Sequence, residues 1–137
     1  FKGTAYQITS FGAYFEANMA LMEPKIFFFN DTATPEIYTK VRDDMPAKYG
    51  LDSNVSNSLV ADGCVIDGEV ENCVLFRDVV VEKGAEICDC IIMEGGRILS
   101  DASLRHVITD RNVVVRDGRT MMGHENYPIT IAKNATV

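Results

Sequence analysis

Few residues of this sequence have chemical reach. They are four cysteines (Cys64, Cys73, Cys88, Cys90), two histidines (His106, His124), and a group of bases near the C-terminal end, Arg116, Arg119 and Lys133. Thiols and imidazoles can hold a transition metal or work as nucleophile and base. The spacing does not favour it. Cys88-Asp89-Cys90 lacks the two-residue gap and the second ligand pair of a zinc site. With no sign of secretion, reduced thiols and a cytoplasmic location are the expectation. Arginine and lysine together suit phosphate, the first through a planar fork of donors, the second through a compact charge. Arg116, Arg119 and Lys133 are therefore the candidate site, for an anion.

The charge pattern supports that assignment. The chain carries a net −7 over 137 residues, which argues against a nucleic-acid binder, since that needs a basic face to displace counterions. Residues 51–104 hold eleven acids and three bases, whereas residues 105–137 hold five bases and three acids. An anion is drawn to the C-terminal end. No apolar run approaches the roughly 20 residues that span a bilayer, so no membrane partner is expected. The chain starts at Phe1 without an initiator Met and is expected to be part of a longer protein.

What positions these residues is a repeat. Stretches 72–87, 89–104 and 106–121 align at a period of 17 residues. Their aliphatic markers are Leu75, Val81 and Ile87, then Ile92, Ile98 and Leu104, then Thr109 and Val115, after a shorter turn with Val60, Ile66 and Val70. Steps of about six residues between aliphatic markers are the hexapeptide pattern of a parallel β-helix, one short strand and a corner per step. The residue two before each marker shares its side of the strand. That series is Ser58, Cys64, Cys73, Val79, Ala85, Cys90, Gly96, Ala102, Val107 and Val113, all small or β-branched. Three cysteines thus read as buried apolar side chains. Cys88 falls off the series, at a corner, and His106 precedes an inward position, so it should point outward as a surface residue. His124 lies beyond the last clear coil.

Before the coils, Ser10 to Met22 reads as a short amphipathic helix, with Ser10 as N-cap, a stripe of Phe11, Tyr14, Phe15 and Met19, and Pro24 as stop. Residues 25–50 read as an extended linker punctuated by Pro35, Pro46 and Gly50. Within it, residues 27–39 resemble the translation of a sequencing-adaptor oligonucleotide, and no function is placed on them. The fold expected is all-β, a parallel β-helix over 51–137 preceded by a short helix and a linker.

Several motifs together resemble one family. Phe15-Glu-Ala-Asn-Met-Ala-Leu21, Ile37-Tyr-Thr-Lys-Val-Arg-Asp43 with Pro46-Ala-Lys-Tyr49, Ser58-Leu-Val-Ala-Asp-Gly-Cys-Val-Ile66, Asn72-Cys-Val-Leu-Phe76 and Ile91-Ile-Met93 are similar to the C-terminal region of glucose-1-phosphate adenylyltransferases. The resemblance implies that residues 1–24 end a nucleotidyltransferase domain and that the coils wind left-handed. It also implies a parent activity that joins ATP to glucose 1-phosphate, giving ADP-glucose for glycogen synthesis, with Mg2+ in a catalytic domain upstream. This stretch contains no Gly-rich phosphate loop, so no catalytic residue and no cofactor site is expected in it. Where catalytic members carry an Asp that holds Mg2+, this chain has Gln7, in Gln7-Ile8-Thr9-Ser10. A neutral amide offers a hard cation one oxygen and no charge. That departure points to the regulatory, GlgD-type subunit, a partner of a catalytic subunit in a hetero- or homotetramer, with a sugar phosphate as possible effector. Lys133, in Ile131-Ala-Lys-Asn-Ala135, matches a terminal lysine of the family. Two alternatives stand beside this reading. One is a hexapeptide acyltransferase, which would need His106 or His124 as base. The other is the C-terminal piece of a fully catalytic pyrophosphorylase.

Overall fold

The computed structural model describes residues 10–20 and 46–137. Gln7, residues 21–24 and most of the 25–50 linker, with its 27–39 stretch, lie outside the described residues. Ser10 opens helix α1 (Phe11–Ala20) as an N-cap: its Oγ accepts from Ala13 N at 3.1 Å and its carbonyl from Tyr14 N at 3.0 Å. No helix among the described residues is long and apolar enough to cross a membrane.

The rest is a parallel β-helix. Its first sheet stacks β1 (Lys48–Tyr49), β4 (Val65–Ile66), β7 (Val80–Val81), β10 (Arg97–Ile98) and β13 (Val114–Val115). A second stacks β2 (Asn54–Ser56), β5 (Glu69–Glu71), β8 (Glu86–Cys88), β11 (Ser103–Arg105) and β14 (Thr120–Met122). A third stacks β3 (Leu59–Val60), β6 (Val74–Leu75), β9 (Ile91–Ile92), β12 (Val107–Thr109) and β15 (Ile129–Ile131). The chain visits the three sheets in turn, so each coil is one circuit of a three-sided prism. The coil stack takes in Lys48 and Tyr49, which pair with Val65 and Ile66.

The register shows why the repeat is 17. Leu75 sits beside Ile92 and Ile92 beside Thr109; Val81 sits beside Ile98 and Ile98 beside Val115. Equal coil lengths put like residues side by side, and the inward columns close over one another. Cys64, Cys73, Val79, Ala85, Cys90, Ala102, Val107 and Val113 are all fully buried, as are the markers Ile66, Val81, Ile92, Ile98 and Val115. Arg97 is exposed next to buried Ile98.

Two coils break the period, and both departures matter later. Val60 pairs with Leu75 only 15 residues on, because the step from Ile66 to Val70 is four residues where that from Val81 to Ile87 is six. Thr109 pairs with Ile131, 22 residues on. The last coil therefore exists, extended by five residues around His124, and it is this insertion that hides it from a search at period 17.

Corners are made by residues that accept a left-handed backbone. Asn57, Asn72, Asp89 and His106 repeat at one corner with φ between 43° and 51°; the repeat units begin at these residues. Elsewhere glycine alternates with Asp or Asn. Gly84 (φ 78°) lies under Asp101 (φ 60°), and a Cβ on Gly84 would run into the Asp101 carboxylate. Glycine is needed there for the turn and for the space alike.

The outer face of the third sheet is apolar. Leu59, Val74, Ile91 and Ile108 form one outward column, in register. Helix α1 lies on it, with Phe15 packed among Val74, Ile91 and Ile108 and with Tyr14, Met19 and Leu59 at the margin. Ile91 has no exposed surface at all. Phe11 does not join the helix stripe as the sequence spacing suggested. It is 65% exposed, because the helix ends its contact near its first turn.

Three substitutions test this core. Ile92→Ala should cost about 2–5 kcal/mol by leaving a cavity in a closed prism, whereas Arg97→Ala should stay within about 0.5 kcal/mol. Thr109 is fully buried and its hydroxyl has no hydrogen-bond partner among the described residues. Thr109→Val should therefore stabilise the fold, by about 1 kcal/mol, as it removes an orphaned polar group at nearly constant shape. Urea unfolding of the three variants reads all of these outcomes.

Candidate functional site

The three candidate bases lie at the end of the stack, but at two corners. Arg116 and Arg119 flank one tight turn between β13 and β14, closed by Arg119 N donating to Arg116 O at 3.3 Å. Arg116 N donates to Val137 O at 2.8 Å, which ties this turn to the last residue of the chain. Arg119 continues the register column of Ala85 and Ala102, inward in earlier coils, and is exposed at the end of the stack. Lys133 is in the turn after β15, where Ala135 N donates to Ala132 O at 3.2 Å. The two turns stand at opposite ends of the first sheet's edge.

A further base belongs beside Lys133. Asn134 N donates to Arg111 O at 2.9 Å, and the Asn112 side chain donates to Asn134 Oδ1 at 3.3 Å. At the 22-residue offset of this coil, Arg111 is the residue stacked on Lys133. Both are exposed, and neither forms an ion pair among the described residues. Sequence reasoning missed Arg111 because a 17-residue step from it reaches Pro128 instead of Lys133.

A groove of the opposite sign lies elsewhere. It is an open notch of about 580 Å³ lined by Asp52, Asp67, Glu69, Lys83, Glu86 and Asp101 among others. Its origin is the short coil: two missing residues at the corner after Ile66 leave a gap in the edge of the prism. Lys83 reaches across it to Asp52, Nζ to Oδ2 at 2.9 Å, and this carboxylate raises the ammonium pKa. Both partners are largely exposed, so the bridge adds little to stability. No group of three His, Cys, Asp or Glu among the described residues is gathered to hold a metal ion.

The thiols divide as the repeat implies. Cys90 is fully buried inside the prism while Cys88, two residues earlier, is half-buried on the outer surface. Cys90 Sγ donates to Cys88 O at 3.0 Å, and Cys73 Sγ to Glu71 O at 3.0 Å. These two thiols donate to the carbonyl two residues before them, whereas Cys64 Sγ donates to Phe76 O at 3.0 Å. Cys88 Sγ donates to Asp89 Oδ2 at 3.3 Å, with Arg105 Nη2 at 3.9 Å. Burial, and then the Asp89 carboxylate, push its pKa up; Arg105 opposes them.

Neither histidine is placed as a general base. His106 is not the ordinary surface residue expected from its position in the repeat. Its ring meets Phe15 of α1 edge-on, centroids 5.8 Å apart, with only 20% of the side chain exposed. Its Nε2 lies 3.8 Å from Asp89 Oδ2, and its Nδ1 is buried without a hydrogen-bond partner among the described residues. The cause is α1, which covers this corner, and no repeat pattern carries that information. His124 is exposed in the inserted segment, where its Nδ1 accepts from Asn126 N at 3.2 Å.

Comparison with known proteins agrees with this geometry. Residues 45–127, the coils themselves, match the family described as GlmU-like, C-terminal hexapeptide. The chain belongs to the GlmU-like, C-terminal hexapeptide family. Among curated relatives, the glycogen biosynthesis protein GlgD of Bacillus subtilis strain 168 is 42% identical over 135 residues, 97% of this chain and 39% of that protein. The protein of the same name in Geobacillus stearothermophilus is 59% identical over 51 residues, 37% of this chain and 15% of that protein. A glucose-1-phosphate adenylyltransferase of Corynebacterium jeikeium strain K411 is 34% identical over 141 residues, 99% of this chain and 35% of that enzyme. The chain thus spans well under half the length of the curated relatives it matches. The match to the first of them covers 97% of the chain and so takes in α1 as well as coils, beyond the family's repeats alone.

The thiol geometry makes a direct prediction. In the native protein an aromatic disulfide reagent should modify Cys88 and spare Cys64, Cys73 and Cys90. With its pKa raised, Cys88 is less ionised at neutral pH than an ordinary thiol, so its rate should keep climbing as pH passes the usual thiol range. Asp89→Asn removes one raising cause and should speed the reaction at any fixed pH. Asn already serves at the same corner in Asn57 and Asn72, so the turn should survive. Labelling followed by mass spectrometry gives both readings.

Proposed function

We propose that this chain is the C-terminal region of a regulatory, GlgD-type subunit of glucose-1-phosphate adenylyltransferase, serving assembly and control and leaving the chemistry to a catalytic partner. The observation that carries the reading is the 42% identity to a glycogen biosynthesis protein GlgD, sustained over 97% of the chain, helix and coils together. The packing of α1 on the third sheet supports it. A helix that resembles the end of a nucleotidyltransferase domain rests on the β-helix through Phe15, Val74, Ile91 and Ile108, so the two parts of the longer protein would share one core.

In this reading the prism is a rigid platform and its ends and faces are docking ground within a tetramer. Solenoid ends leave backbone groups and apolar side chains to be covered. Gln7, in place of a carboxylate, deprives the upstream domain of a charge for Mg2+. The effector would be a sugar phosphate held at the C-terminal corners, by Arg116 and Arg119 on one turn and by Lys133 on the other. Arg111 joins Lys133 in this reading, since the two stack on successive coils.

Two experiments test the proposal. The full-length protein alone, given ATP, glucose 1-phosphate and Mg2+, should form no ADP-glucose, and with its catalytic partner it should elute as a tetramer. Measurable turnover by the lone subunit, or elution as separate monomers, overturns it. In the assembled enzyme, Arg116→Ala, Arg119→Ala and Lys133→Ala should each weaken activation by a sugar phosphate about tenfold, the loss of one charge-assisted contact, with Tm unchanged. If all three are silent, these corners are plain surface.

A further inference from the structure

The outward column that receives α1 is nearly featureless along its length. Leu59, Val74, Ile91 and Ile108 are all aliphatic, one per coil. Apolar burial has no direction, and successive coils are about 4.8 Å apart where one helical turn rises about 5.4 Å. A helix slid by one coil would present nearly the same face to nearly the same surface. Something other than the column must set where α1 stops.

We infer that the five-residue insertion of the last coil is a strap that fixes the position of α1 along the β-helix. The insertion leaves the stack at Gly123, directly above the His106 corner: Gly123 N donates to Arg105 O at 2.8 Å, and a Cβ on Gly123 would collide with the His106 carbonyl. It then folds back on itself. His124 N donates to Tyr127 O at 3.2 Å and Tyr127 N to His124 O at 2.8 Å, while the His124 ring accepts from Asn126 N. The tip so formed comes up beside the first turn of α1, where Asn126 O lies 3.5 Å from the position a Cβ on Gly12 would take. A carbonyl oxygen there lies near the positive end of the helix dipole. The spacing is consistent. Gly12 meets the strap and Phe15 meets His106, one coil down; three helical residues rise about 4.5 Å, about one coil. Below the strap, the column itself changes at the last coil from Ile108 to exposed Thr130.

A ten-residue helix is marginal by itself, so its order depends on this seating. If α1 ends an upstream domain, as proposed above, the strap sets where that domain sits; the positioning of α1 stands without that reading.

The test removes the strap in the full-length protein. Deleting His124 to Pro128 takes five residues from the 22-residue coil and restores the 17 of its neighbours. Hydrogen exchange of the segment 10–20 should then accelerate at least about tenfold, with β9 and β12 as protected as before. Unchanged α1 exchange over an intact sheet overturns the inference, as does an α1 unprotected in the parent protein. Should the deletion disturb β9 and β12 as well, a second variant decides. Gly12→Cys with Asn126→Cys should form a disulfide under oxidised glutathione and slow α1 exchange. Failure to cross-link refutes the contact.

Discussion

Everything in this molecule depends on the parallel hydrogen-bond ladder between coils of equal length. A 17-residue circuit returns each residue to the place of its predecessor one coil above, so one side chain type is selected again and again at each position. Inward places accept only what a narrow prism can hold, hence Cys, Ala, Val, Ile and Leu in closed columns. Corner places accept only residues that tolerate a left-handed backbone, hence Asn, Asp, Gly and a single His. The ladder thereby converts a local spacing into a global shape, and most of the sequence is left free to vary on the outside.

The interesting places are where that equality fails. Two residues fewer at one corner open an acidic notch that Lys83 spans to reach Asp52. Five residues more at another corner make a hairpin that stands off the prism and reaches α1. A solenoid cannot carry a pocket inside its filled interior, so its specific features must come from coils that are too short or too long, or from its ends. The bases at the C-terminal end follow the same logic. They stand in the last coils, exposed, and none of them forms an ion pair among the described residues.

Helix α1 covers the apolar face of this platform. Its contact surface is centred on the Phe15 ring, with Tyr14 and Met19 beside it, against aliphatic side chains on the outside of the third sheet. That outer column marks out one of the three faces, since the second sheet carries Glu69, Glu71, Glu86 and Arg105 outward. A polar face stays wet and an apolar face must be covered. The division of labour among the faces is thus written in the alternate residues of each strand, with Val74, Ile91 and Ile108 as its signature.

The sequence by itself determined the coil architecture, the inward columns, the outward place of Arg97, the N-cap at Ser10 and the split of the cysteines into three buried and one outer thiol. These are consequences of period, and a repeat states its period openly. Tertiary structure alone decided the rest. His106 became a packed residue because a helix about ninety positions away in sequence lies over its corner. Phe11 became exposed because the start of the helix lies beyond its contact with the column. Arg111 and Lys133 became neighbours, and Arg116 and Lys133 became separate, because five inserted residues shift the last coil out of phase. Periodicity reports how a chain pairs with itself one coil on; it is silent about what lies against the outside of the stack and about the length of a loop that leaves it.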